Sequence, residues 1–410
     1  MPDPHSSSRS TKEVPSLTLL LEAAAKANNV DELSSILQQA RSNAAFPKIL
    51  GAGLGTAAQD GRVDIVKCLL SEDKKVLTYD NLLLALLNAV SAGHIDVVEQ
   101  LLDSGAPVNG ILHDGSCWDS WSPIAIAVLG NNAQVLKLLI ARGGDVDVEG
   151  DNRQTALHML AGKDSWETPL DSEALDMLLR ASRKVHRQDS YGCTPLYYAC
   201  MVNNAEMVRK ILQQRRGLQV SLVAPDPTRY NAFHIACQHS SFGIVEMLLM
   251  HGADSNATRG DGWTPLHIAC HRYNTSIVTV LLDHGASANP TTSNRILPLH
   301  LAIDESAVEV VKLLLQKDDI QTRDTFGDHL FFYAAERGES EIRDLLFPFY
   351  RSSSVSNEML TCDMFTATVV DFDKEGQIMD LKNTTISTLL GWFTPQPPPQ
   401  VPYAQPSMLR

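Results

Sequence analysis

The sequence predicts an all-α solenoid of about ten helix-turn-helix units, followed by a small C-terminal β-hairpin and helix appendage. Three observations carry this expectation. A short motif centred on a small residue returns about every 33 residues, an apolar cluster follows each copy, and glycine-containing turns close the units. Self-similarity at that period is what stacked helical repeats leave in a sequence.

On one register the marker positions are Ala24, Ala57, Ala89, Ala127, Leu160, Ala199, Ala236, Ala269, Ala302 and Ala334, at intervals of 33, 32, 38, 33, 39, 37, 33, 33 and 32 residues. The fullest motif is Thr264-Pro265-Leu266-His267-Ile268-Ala269-Cys270. Thr155-Ala156-Leu157-His158, Thr194-Pro195-Leu196-Tyr197, Asn231-Ala232-Phe233-His234 and Pro298-Leu299-His300 fill the same slot. Thr264 is suited to cap a helix, and Pro265 fits the first helical position, where its missing N–H costs nothing. Apolar clusters such as Val97-Val98 with Leu101-Leu102, and Val310-Val311 with Leu313-Leu314-Leu315, supply the second helix. Gly93, Gly130 and Gly338 are expected as left-handed caps between the two helices. Turn-rich stretches such as Gly105-Ala106-Pro107-Val108-Asn109 and Gly285-Ala286-Ser287-Ala288-Asn289 lead into the next loop.

On these motifs the chain resembles the ankyrin repeat family over residues 17–350. The resemblance implies rigid stacked hairpins that bind proteins through loop tips and a concave helix face. It also implies a second role, as ankyrin proteins often serve as substrate-recruiting parts of ubiquitin ligases or other enzyme complexes.

The flanks differ from the repeats. Residues 1–16 are polar and proline-containing, which predicts a disordered start without the apolar core of a signal peptide and hence a cytoplasmic or nuclear protein. Residues 351–393 are read as an appendage: Phe365–Phe372 alternates like a strand, Asp373-Lys374-Glu375-Gly376 makes a turn, and 385–393 favours a short helix. It serves either as a cap on the last repeat or as a docking element. Residues 394–410 form a Pro-rich tail with polyproline II character.

Composition narrows the function. With 48 acidic residues against 34 Lys and Arg, the net charge is −14, which argues against nucleic-acid binding or general attraction to anionic membranes. No run of about 18 apolar residues exists to insert in a bilayer. Cys200, Cys237 and Cys270 follow the marker alanine in their units, so they read as packing residues rather than metal ligands. His158, His234, His267 and His300 recur at the structural period and read as ties between helix and loop. Gly51-Ala52-Gly53-Leu54-Gly55 is no dinucleotide fingerprint and falls within a repeat. No catalytic, cofactor or metal constellation emerges, so a non-catalytic scaffold or adaptor is expected.

Candidate contacts are then the residues that do not repeat. The enlarged loop at 110–121 carries Trp118, Asp119 and Trp121, either as partner anchors or as the loop's own small core. Other loop tips offer Asn152, Arg153, Tyr191, Arg229, Tyr230, Asp261, Trp263 and Arg295.

Overall fold

The computed structural model describes residues 10–72, 76–112, 121–162, 172–214, 230–239, 241–317, 322 and 329–353. The chain divides into two compact units, Met1–Leu218 and Gln219–Arg410.

The first unit contains six helix pairs among its described residues: α1 (Ser10–Lys26) with α2 (Val30–Ala40), α3 (Phe46–Gln59) with α4 (Val63–Leu70), α5 (Tyr79–Ala92) with α6 (Ile95–Asp103), α7 (Pro123–Leu129) with α8 (Ala133–Ala141), α9 (Ala156–Ala161) with α10 (Ser172–Ala181), and α11 (Pro195–Met201) with α12 (Ala205–Gln213). The second contains four: α13 (Ala232–Gln238) with α14 (Phe242–Met250), α15 (Pro265–His271) with α16 (Thr275–Asp283), α17 (Pro298–Asp304) with α18 (Val308–Leu315), and α19 (Leu330–Glu336) with α20 (Ser340–Ser353). First helices pack on first helices, as α3 does on α1 and α5, and α15 on α13 and α17. Second helices do the same: α4 meets α2 and α6, and α16 meets α14 and α18. Each unit is therefore an ankyrin-repeat stack.

The marker register explains the packing. Ala57, Ala89, Ala127, Ala199, Ala236, Ala269, Ala302 and Ala334 are all 0% exposed, and the one larger marker, Leu160, is the most exposed at 8%. A small side chain lets neighbouring first helices approach closely. Cys200, Cys237 and Cys270 are buried free thiols, as their packing role requires, and burial raises the pKa of Cys200 and Cys270.

Caps and histidines act together. Thr264 Oγ1 accepts the His267 N–H at 3.4 Å, and Asn231 Oδ1 accepts that of His234 at 2.8 Å. His267 Nδ1 accepts the Thr264 N–H at 3.1 Å, while its Nε2 donates to the Ile296 carbonyl at 3.1 Å. His158 reaches the Arg187 carbonyl at 2.9 Å and His234 the Ala257 carbonyl at 3.1 Å in the same way. Each imidazole thus ties a first helix to a later loop of its own unit. Burial holds His234 and His267 at pKa about 4 and lowers His158, and a proton on Nδ1 would also face an N–H.

Three boundaries differ from expectation. Helix α1 begins at Ser10, inside the segment expected to be disordered through residue 16; Pro15 lies in its second turn, where it removes a single backbone bond ahead of the apolar run from Leu17. Helix α20 continues to Ser353, so the first three residues of the expected appendage at 351–393 belong to the last helix. Gly93 and Gly338 have the expected left-handed conformation, but Gly130 is right-handed and Asn131 takes the positive φ of 56° instead. Asn is among the residues that tolerate this conformation. The hairpin and helix expected within 351–393, beyond Ser353, and the tail at 394–410 lie outside the described residues.

Candidate partner-binding surface

Loop tips of common design precede several first helices. A backbone N–H to carbonyl bond closes each tip: Gly150 to Gln154, Asp189 to Cys193 and Arg259 to Trp263 at 2.9 Å, and Thr292 to Ile296 at 3.1 Å. The third residue within each closure has positive φ: Arg153 at 58°, Gly192 at 75°, Gly262 at 83° and Arg295 at 62°. Glycine adopts this conformation freely, whereas arginine does so at a cost. Within each unit, neighbouring tips are linked, Ser190 N–H donating to the Asn152 carbonyl and Ser293 N–H to the Asp261 carbonyl, both at 2.7 Å. The tips therefore form a continuous hydrogen-bonded edge in each unit.

In the first unit, Asn152 and Arg153 are exposed on a one-turn 3₁₀ segment, and Arg153 pairs with Glu149 at 3.4 Å. Tyr191 is half-buried beside a residue not foreseen, Asp189. That carboxylate is 3% exposed; its Oδ1 accepts the Tyr191 and Cys193 N–H groups at 2.9 Å, and its Oδ2 accepts from Tyr198 Oη at 2.8 Å and Gln154 Nε2 at 3.1 Å. Burial and the neighbouring Asp189 charge raise the Tyr198 pKa. Such a network fixes the tip's shape rather than leaving it adaptable. Trp121 is half-buried at the entry to α7, next to the capping Ser122. Trp118 and Asp119 lie outside the described residues, as does Arg229.

In the second unit, the tip residues meet an aromatic and cationic ladder. The Arg259 guanidinium stacks 4.3 Å from the Tyr230 ring centroid and 5.6 Å from that of Trp263, and it forms an ion pair with Asp261. Asp261 Oδ1 also accepts the Trp263 N–H at 3.2 Å. Tyr230 is consequently buried under Arg259, at 5% exposure, and is a support rather than an open tip. Trp263 is half-buried, its ring 5.8 Å from both His267 and His271, and His271 Nδ1 lies 3.0 Å from Glu305. Further along, Tyr333 Oη and Arg337 each meet Asp304 at 2.5 Å, and Tyr333 packs edge-on to His300 at 5.4 Å. Burial, with the Asp304 charge, pushes Tyr333 up to about 12. Arg295 stands exposed at its own tip.

Asp261, Trp263 and Arg295 are therefore gathered on one edge, with Tyr230 beneath. Asn152, Arg153, Tyr191 and Trp121 belong to the other unit. The sequence reading missed Arg259 and His271. The spacing Arg259-Gly260-Asp261-Gly262-Trp263 was the available signal, because a closed tip of that length brings its first and fifth residues together.

Among the described residues no His, Cys, Asp and Glu group is arranged to hold a metal, and no helix is long and apolar enough to cross a membrane. What the geometry defines is a helical-hairpin repeat protein with ordered loop tips ahead of several first helices. Residues 86–179, 167–259 and 253–324 match the family profile described as ankyrin repeats in three copies, more than half of the chain. The chain belongs to the ankyrin repeat family, and its array is a protein–protein interaction domain, generally a non-catalytic module.

Relatives place the repeats in varied contexts. The chain is 26% identical over 176 residues to the human transient receptor potential cation channel subfamily A member 1, covering 42% of this chain and 15% of that protein. It is 28% identical over 240 residues to ankyrin repeat protein nuc-2 of Neurospora crassa, covering 58% and 19%. With human ankyrin repeat and SOCS box protein 16 it shares 26% over 222 residues, covering 52% and 46%. The match thus spans less than half the length of each of these relatives.

Proposed function

We propose that this chain is a non-catalytic scaffold or adaptor that presents loop tips and the exposed side of its first helices to a protein partner. The observation that carries the reading is the edge formed by Asp261, Trp263 and Arg295, backed by Arg259 over Tyr230. Tryptophan and arginine are the residues most enriched among binding hot spots, and here both are held in place before any partner arrives. Preorganisation of that kind reduces the ordering entropy of association. A cytoplasmic or nuclear setting belongs to the same proposal and is supported by the described cysteines being free thiols.

Quantitative affinity capture tests the reading. Trp263→Ala combined with Arg295→Glu should deplete specific partners at least tenfold while the repeats remain folded. An unchanged partner set with unchanged melting overturns it.

A second reading makes the chain the substrate-recruiting or regulatory subunit of an enzyme complex such as a ubiquitin ligase. The likeness to a protein named for ankyrin repeats together with a SOCS box favours it. Stable co-purification of ligase subunits with the intact chain, lost on removal of residues 351–410 while the repeats stay folded, would select it over the first.

A further inference from the structure

The chain is acidic, yet residues 180–188 hold Arg180, Arg183, Lys184 and Arg187 with no Asp or Glu among them. This segment leaves the end of α10 and enters the loop before α11. Four of its side chains, Arg180, Arg183, Lys184 and Arg187, line one cavity of about 440 Å³ together with His186 and Gln214. No carboxylate lines that cavity.

The nearby charges do not cancel. Glu149 faces Arg187 at 3.0 Å, Lys184 at 3.3 Å and Arg153 at 3.4 Å, so one carboxylate meets three cations. Although burial opposes it, these contacts lower the Glu149 pKa, and the acid stays ionised. Arg180 and Arg183 are exposed, and their guanidinium groups meet no carboxylate among the described residues. Asp145 and Asp147 line an adjoining cavity of about 400 Å³ that shares Arg183 and Lys184 with the first, and there Asp147 is occupied by Ser182 Oγ at 2.6 Å and the Arg183 N–H at 2.8 Å. The two cavities together are lined by four cations, Arg180, Arg183, Lys184 and Arg187, against two carboxylates, Asp145 and Asp147, and the first cavity is lined by all four cations and by neither carboxylate.

Cations at a helix C-terminus have an ordinary role, because they offset the partial negative charge of free carbonyls by up to about 1 kcal/mol. Arg180, in the last turn of α10, accounts for that role by itself. The others are held in the loop by contacts unrelated to the helix end. Asp147 pins the backbone at Arg183, the Arg187 N–H donates to the Lys184 carbonyl at 2.9 Å, and His158 Nε2 donates to the Arg187 carbonyl at 2.9 Å. A loop fixed at both ends that gathers like charges around an open cavity has little self-stabilising purpose.

We propose that this cleft is an oxyanion site that receives a carboxylate- or phosphate-bearing side chain from an acidic segment of a protein partner. Arginine suits that ligand because its planar fork meets two oxygens of a carboxylate or phosphate at once. A cavity of this size admits one such side chain with its flanking backbone. The proposal rests on the reading of the chain as a protein-binding scaffold and adds the chemistry of one contact.

The test uses the full chain and fluorescence polarisation with three labelled decapeptides: one rich in Asp and Glu, one with a central phosphoserine, and one neutral. The acidic probes should bind, and log affinity should fall linearly with log salt. Arg180→Gln with Arg183→Glu should weaken them at least tenfold with the repeats still folded, whereas Arg295→Glu in the other unit should not. Preference between the first two peptides assigns the oxyanion as carboxylate or phosphate. Equal binding of the neutral peptide, insensitivity to the Arg180 and Arg183 changes, or tighter binding of a dT20 oligonucleotide at the same residues overturns the proposal. Loss of partner capture on changing Trp263 and Arg295, with peptide binding unaffected by the Arg180 and Arg183 changes, removes the cleft and leaves the scaffold reading standing.

Discussion

Repeats near the N-terminus and those around Thr264 perform the same stacking with different materials. The first helices α1, α3 and α5 are 17, 14 and 14 residues long, whereas α13, α15 and α17 have seven each. Since the period stays near 33 residues, what the shorter helix releases is spent on the closed tip before it. In the long-helix region, cohesion comes from close approach: a Cβ on Gly53 would strike Leu21, and one on Gly51 would strike Asn81. Asparagine side chains add clamps, Asn81 to the Pro47 carbonyl at 3.0 Å and Asn88 to that of Gly55 at 3.2 Å. In the short-helix region, the histidine bridges replace them. A repeat can thus trade helix length for an exposed tip, provided that a side chain ties the tip to its neighbour.

Acidification should separate the two regions most strongly. The unfolded chain binds protons at His234 and His267 near pH 6.5, and the folded chain binds them only near pH 4. Their stabilisation is therefore complete above pH 6.5 and is lost as pH falls from 6.5 towards 4, at about 1.4 kcal/mol per pH unit for each residue. Segment-resolved hydrogen exchange at pH 7 and pH 5 should show protection falling first across α13–α17. Equal loss in α3 and α5 would break the comparison.

A change of the opposite selectivity is Gly53→Val. It should cost about 1–3 kcal/mol through overpacking against Leu21. Denaturation followed by exchange in α1 and α3 measures it, and an unchanged midpoint would show that close approach does not hold this region together.

The smallest expected effect lies at a tip. Arg295→Gly should stabilise by at most about 1 kcal/mol, because it relieves a positive φ of 62° that the matching Gly262 adopts without strain. A lowered melting temperature would mean that the Arg295 side chain contributes more than its backbone costs.

The repeat count and the roles of the motif histidines and cysteines were legible in the sequence because burial recurs with the period. Ala269, Cys270 and His267 occupy the same environment as their counterparts, so one copy explains the others. The tips resisted reading for the complementary reason. Nothing in the order of residues shows that Tyr230 lies under Arg259, that Asn131 rather than Gly130 takes the left-handed turn, or that Asp189 is buried, since each depends on a partner several residues or a whole repeat away. The cationic segment at 180–187 was visible as letters, but only its shared cavity distinguishes it from a solvated helix end.

The bond from His267 to the Ile296 carbonyl has a consequence for how such a chain can be cut and rejoined. Divided at successive motifs, residues 264–296 keep the donor and its acceptor together, whereas a cut at the Gly285 turn separates them. The interchangeable module of this protein accordingly runs from one motif to the next: it begins at one capping residue and closes on the loop before the following first helix. Recombination at the motif would transplant a finished joint, whereas exchange at the turn after the second helix would sever it.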